Sequence, residues 1–183
     1  MKKNVLLWMV MHFVFYGKAQ IVTYAELICT ANEIVWNDSL HFKNYPTDMI
    51  VLDTNLAKQV FAPLYHTADN RKGCKVKWGV AGKISKQPLC DLLLLVEKND
   101  TDNSTWHHVL HLVSMDKHGH YIASFGLYIS HQSRYNSYFT SACLYPDLSI
   151  IQYTKVKAGQ QEFAGSNKFS LQSDGKFVHS GKN

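Results

Sequence analysis

Residues 106–129 read WHHVLHLVSMDKHGHYIASFGLYI, and this stretch decides the fold. Trp106 to Met115 and Tyr121 to Ile129 are two apolar-rich runs of strand length. Asp116-Lys117-His118-Gly119 lies between them, with glycine where a turn needs a positive φ. The pair predicts a β-hairpin. Working outward, Leu92-Leu93-Leu94-Leu95-Val96 is continuously apolar, the pattern of a central strand covered on both faces. Lys75 to Ala81 alternates, as a half-buried strand does, and Asn99 to Ser104 reads as a polar loop. Gly79 and Gly82 are isolated and mark a bulge or bend. Downstream, Tyr138 to Leu144, Leu148 to Val156, Lys168 to Leu171 and Lys176 to Val178 are separated by turn residues such as Tyr145-Pro146-Asp147 and Ser173-Asp174-Gly175. This texture predicts a meander of about six to eight short strands in sequential up-and-down order.

The region before residue 74 has a different texture. Tyr24, Leu27 and Ile28 share a face at i, i+3, i+4, so Tyr24 to Thr30 is expected to be helical. Thr54 can cap a second helix over Asn55 to Phe61, and Pro63 fits its end. Asn37-Asp38-Ser39 and Asn44-Tyr45-Pro46 read as loop. The expected fold class is therefore α+β: one twisted antiparallel sheet with one or two short N-terminal helices. Residues 20–183 form a single domain, helix and loop over 20–73 and sheet over 74–183.

Residues 1–19 read as a signal peptide. Lys2-Lys3 give a positive start, Val5 to Tyr16 an apolar run interrupted by His12, and Gly17-Lys18-Ala19 small residues before a cut at Ala19-Gln20. The run is shorter than the ~20 residues a membrane helix needs. Export is the expected localisation: periplasm, cell surface or medium, with no membrane span once the leader is removed. The leader also corrects the charge. The 183 residues carry 19 basic and 14 acidic side chains, a net +5, and without Lys2, Lys3 and Lys18 the balance is +2. A nearly neutral chain with 13% aromatic and 18% charged residues can build a core, and it gives no electrostatic footprint for nucleic acid.

The order of these segments resembles the small uncharacterised exported proteins of Bacteroidetes-type bacteria. The resemblance is carried by the leader ending Ala19-Gln20, the Tyr24-Ala25-Glu26-Leu27-Ile28 helix and the loop with Pro46. It continues through the leucine strand at 92–96 and Leu112 to Ile122, and ends with Tyr145 to Ile151 and Phe169 to Val178. It covers most of the mature chain and implies an envelope setting and a sheet-rich fold. It carries over no catalytic residue and no cofactor.

Chemistry-bearing residues are next. His107, His108, His111, His118 and His120 crowd one segment. On a strand, residues four apart lie ~13 Å from one another, so His107 and His111 cannot both ligate one zinc ion at ~2 Å. No metal or cofactor is expected. Cys143 sits in an apolar-aromatic run and reads as a buried thiol, and no nucleophile elbow or phosphate-cradling glycine motif occurs. Cys74 and Cys90 flank the hairpin expected around Gly82 and are the candidate disulfide. With a three-residue turn and a Gly bulge, His111 would face Phe125 and His108 would face Tyr128. With Tyr121, these would set aromatic and imidazole groups on one sheet face. Arg134 and Tyr135, in the polar loop 131–136, are the expected recognition loop. The favoured function is a non-catalytic binding or interaction module at the envelope, with a protein or glycan partner. A hydrolase or metal-dependent enzyme using the 107–120 histidines, and a structural envelope component without a discrete ligand, are the alternatives.

Overall fold

A computed structural model describes residues 23–36, 38–69, 76–84, 90–102 and 105–182. The expected signal peptide and Cys74 lie outside these residues. Among the described residues, three short helices precede and flank the sheet: α1 (Tyr24–Thr30), α2 (Thr54–Val60) and α3 (Ala62–Asp69). The described residues form ten strands: β1 (Leu40–Phe42), β2 (Ile50–Val51), β3 (Val76–Ile84), β4 (Asp91–Asp102), β5 (Thr105–Met115), β6 (Tyr121–Gln132), β7 (Asn136–Leu144), β8 (Ser149–Ala158), β9 (Gln161–Leu171) and β10 (Phe177–Lys182). They pair antiparallel in the order β10-β9-β8-β7-β6-β5-β4-β3-β2, with β1 joined to β7 off this path. None of the helices among the described residues is long and apolar enough to cross a membrane.

Local chemistry explains the helix ends. Thr23 and Glu26 form a reciprocal capping box at the start of α1. The α2 cap is Asp53, whose carboxylate accepts from the Asn55 amide at 2.8 Å, so Thr54 is the first helical residue rather than the cap. Pro63 does not close α2. It occupies the first turn of α3, where its missing N–H has no carbonyl to serve.

The leucine run is the central strand its pattern predicts. Alternate side chains of β4 enter two separate cores. Leu93 and Leu95 join Trp78, Val80, Val113 and Met115 beneath Leu27, Leu56 and Phe61 of the helical region. Leu92, Leu94 and Val96 join Leu110 and Leu112 against Leu127, Leu144, Ile150 and Leu171. Burial on both faces is why the run has no polar alternation. Each such leucine contributes roughly 1.5–3 kcal/mol through burial.

Several strands outrun their sequence limits. β4 continues to Asp102 and Asn99 is buried, so residues 99–102 of the expected loop belong to the strand. The irregularity between Val80 and Gly82 is the bulge expected there, and it lies inside β3. The β3–β4 connection therefore falls between Ile84 and Asp91, not around Gly82. β1 and β2 arise in a segment read as loop.

The β6–β7 junction splits. Only Ile129 to Gln132 of β6 pair with β7, at Thr140 to Ser137, while Ala142 to Leu144 of β7 pair with β1. In the stretch of β6 that does not pair with β7, the Gln152 amide donates to the Gly126 carbonyl at 2.7 Å, replacing a missing ladder bond on that side.

The β5–β6 turn is held by Asp116. Its carboxylate accepts from the His118 and His120 amides and meets the His120 imidazole, all at 2.8 Å. The His120 amide bond, with the His120 imidazole and the His118 amide beside it, holds the carboxyl at about 2, below its ordinary 3.8. A depressed folded-state value means the contribution is complete above pH ~4 and fades as pH falls toward 2. Asp116→Ala is expected to lower the thermal midpoint at pH 7 and to lose that difference as the pH is taken from 4 to 2. A difference independent of pH, in melts recorded across that range, would refute this role.

Candidate functional site

The hairpin turn follows the expected register only at its start. Met115 pairs with Tyr121, but irregularities at Ile122 and Leu127 shift the pairing by one and then by two residues. His111 therefore faces Gly126, and His108 faces Ser130. The bulges are a correction to the expected pairing of His111 with Phe125 and of His108 with Tyr128.

The expected site residues divide between the two faces. His111 is buried, stacked on Trp78 at 6.4 Å between ring centres, with Nε2 3.2 Å from Glu97 Oε2. Glu97 is only 2% exposed, and its other oxygen lies 3.9 Å from His107 Nε2. Glu97 sits opposite Val109, midway between the two histidines, so one carboxylate bridges imidazoles four residues apart. Among the described residues, no group of three or more His, Cys, Asp or Glu side chains has the arrangement to hold a metal ion. Tyr121 packs on the helical core, and its hydroxyl donates to Ser124 at 2.9 Å.

On the opposite side, the His108 ring lies 4.9 Å from Tyr45 and its Nε2 meets Asp100. That contact, with the Lys98 ammonium, holds the Asp100 carboxyl below its ordinary value. Phe125 packs at 4.7 Å from Phe169 and 5.6 Å from Phe177. Tyr128 meets Phe139 edge-on at 5.3 Å and Tyr45 at 6.3 Å. These rings are bound to one another as cross-strand and interlayer packing.

Arg134 and Tyr135 form the tip between β6 and β7. The guanidinium lies 5.4 Å from the Tyr135 ring centre, and Tyr135 is 70% exposed. The Tyr135 carbonyl accepts from Gly159 in the β8–β9 turn at 3.2 Å, so two hairpin tips are tied together.

Next to these tips lies a surface that the sequence reading did not single out. The register places His131, Tyr138, Val156 and Phe163 in one row across β6, β7, β8 and β9. Phe163 is 58% exposed. A concavity of about 510 Å³ is lined here by Tyr138, Phe163, Val156, Ala164, Gly165 and the polar Gln152, Thr154, Ser166 and Asn167. A second, of about 530 Å³, includes the exposed rings of Phe139 and Tyr153 beside Lys155. The signal was present in the sequence: Tyr138, Phe139, Tyr153 and Phe163 stand among serine, threonine and glycine rather than leucine. What was missing was the register, which sets Tyr138 and Phe163 on one face and Phe139 and Tyr153 on the other.

Among the described residues, Cys29, Cys90 and Cys143 are not joined to one another. Cys90 is the described half of the expected Cys74–Cys90 pair. Burial, then the adjacent Asp91 carboxylate, pushes its thiol up. No family model, curated protein or solved structure matches the chain.

Proposed function

We propose that this is a non-catalytic binding module of the bacterial envelope, and that it holds a neutral glycan on the β7–β9 face. One observation carries the reading: the lining of the 510 Å³ concavity has two aromatic rings and four uncharged polar side chains, and no charged one. A sugar ring offers apolar C–H faces that stack on Tyr138 and Phe163. Its hydroxyls exchange hydrogen bonds with amide and hydroxyl groups such as Asn167, Thr154 and the carbonyl end of Gln152. The lack of charge argues against a nucleic-acid or anionic ligand at this face. Arg134 and Tyr135, on the adjoining tip, extend the surface. Export of the chain, as its leader suggests, would place this surface where glycans are met.

Affinity electrophoresis through gels containing a panel of neutral polysaccharides (laminarin, mannan, arabinoxylan, xyloglucan) tests the reading. Retardation by at least one is expected. Phe163→Ala and Tyr138→Ala should weaken it by about tenfold, the equivalent of ~1.4 kcal/mol. Phe163 is exposed enough that its truncation should leave the melting temperature unchanged. Free migration in every gel, or retardation indifferent to both substitutions, would reject the assignment.

A further inference from the structure

On another part of the sheet, β1 pairs with β7 so that His41 lies directly across from Cys143. Cys143 Sγ is 3.0 Å from His41 Nδ1, and His41 Nε2 is 3.0 Å from Ser39 Oγ. Cys143 is 8% exposed, while His41 and Ser39 reach the surface. The three side chains thus form a chain from a sheltered sulfur to solvent. Cys143 also pairs with Ile151, which pairs with Lys168. Both Ile151 and Lys168 line a separate open concavity of about 540 Å³, together with Tyr145 and Asp147. A sulfur next to an imidazole, at the border of a surface hollow that carries an ammonium group, is more than a packed core thiol.

We propose that Cys143, His41 and Ser39 form a thiol–disulfide exchange site that takes low-molecular-weight disulfides. With its proton on Nε2, directed at Ser39 Oγ, His41 presents the Nδ1 lone pair to the thiol. The Sγ proton passes to Nδ1. The resulting thiolate attacks one sulfur of the small disulfide. A new S–S bond forms to Cys143 as the original S–S bond breaks. The departing thiolate takes the proton from His41. Cys143 is oxidised and the small disulfide is reduced, so no further oxidant is needed. Lys168 shares the hollow with the Asp147 carboxylate, so the hollow carries both signs of charge. Ser39 is a positioning residue, since it acts only by fixing the tautomer and orientation of His41.

The test is competitive labelling of the reduced full chain with 5,5′-dithiobis(2-nitrobenzoate), each cysteine being followed by mass mapping. Cys143 is expected to react faster than the exposed Cys29 and much faster than the buried Cys90. His41→Gln should slow Cys143 by at least about tenfold and leave Cys29 unchanged. The neutral 2,2′-dithiodipyridine should show the same preference for Cys143 over Cys29, because the imidazole and not the reagent's charge sets it. If His41→Gln instead accelerates both Cys143 and Cys90, the sheet has opened. Ser39→Ala, which removes no strand pairing, then decides: slower labelling of Cys143 supports the site, and an unchanged rate overturns it. Cys143 reacting no faster than Cys29 in the unaltered chain overturns it outright.

Discussion

Replacing His111 with leucine should destabilise the protein by about 3 kcal/mol or more, against the ~5–15 kcal/mol that hold a typical domain together. The cost does not come from the histidine itself. Leucine fits an apolar site, and His111 is nearly enclosed. It comes from Glu97, which is 2% exposed and loses the imidazole 3.2 Å from its carboxylate. His107, at 3.9 Å, is too far to replace that contact without movement. The carboxylate then stays buried with one partner fewer. Removing the charge together with its partner separates these effects. The double variant Glu97→Met with His111→Leu should recover much of the loss, because a buried polar pair exchanged for apolar groups of similar size is close to neutral. Urea unfolding of the two single variants and the double variant gives the coupling directly. A His111→Leu midpoint within error of the unaltered protein would mean that Glu97 does not depend on this contact.

The same pair shows how far the sequence could be read. The leucine run and the Asp116–Gly119 turn were legible because each rests on local chemistry: continuous apolarity, and a glycine where positive φ is needed. Register was not. Two bulges, at Ile122 and Leu127, each add a residue to β6 without any compositional mark, since isoleucine and leucine are ordinary strand residues. A shift of one residue turns every side chain to the other face. That is why Phe125 pairs with Leu112 and lies on the face away from His111, whose place beside Trp78 and Glu97 is set by the β3–β4–β5 register. Cys143 and His41 were still less accessible. They lie 102 positions apart, and β1 is a three-residue strand inside a segment whose Asn37-Asp38-Ser39 and Asn44-Tyr45-Pro46 both read as loop. Short strands formed by distant pairing carry too few residues for a pattern. Pro63 misled for the opposite reason: its rule is ambiguous, because proline suits both the end of one helix and the first turn of the next.

A substitution at Gly119 should rank with the loss of His111, and it tests whether the hairpin turn also anchors the helical region. Gly119 has φ +83 and its amide donates to the Asp116 carbonyl at 3.0 Å. A residue with a side chain pays roughly 1–2 kcal/mol for that backbone region. Here it meets a second obstacle. A Cβ would strike the ring of Tyr24, with Cγ only 2.8 Å away. That ring cannot swing aside freely. Its hydroxyl donates to Asp91 at 3.0 Å, and Tyr24 is the first residue of α1, whose Leu27 is fully buried in the helical core. Relieving the clash therefore means lifting α1 from the sheet. Gly159 provides the control: its φ is +60, but nothing lies within 4 Å of a Cβ there. Gly159→Ala should cost only the backbone strain, about 1 kcal/mol. Gly119→Ala should cost about 3 kcal/mol, and the excess is the contact with Tyr24. Shortening the ring in the Tyr24→Ala background removes the obstacle, so the two changes together should cost less than their sum. Equal losses at Gly119 and Gly159 would show that the turn bears only on its own hairpin. A larger loss at Gly119, cancelled in part by Tyr24→Ala, would show that α1 is seated through this one glycine.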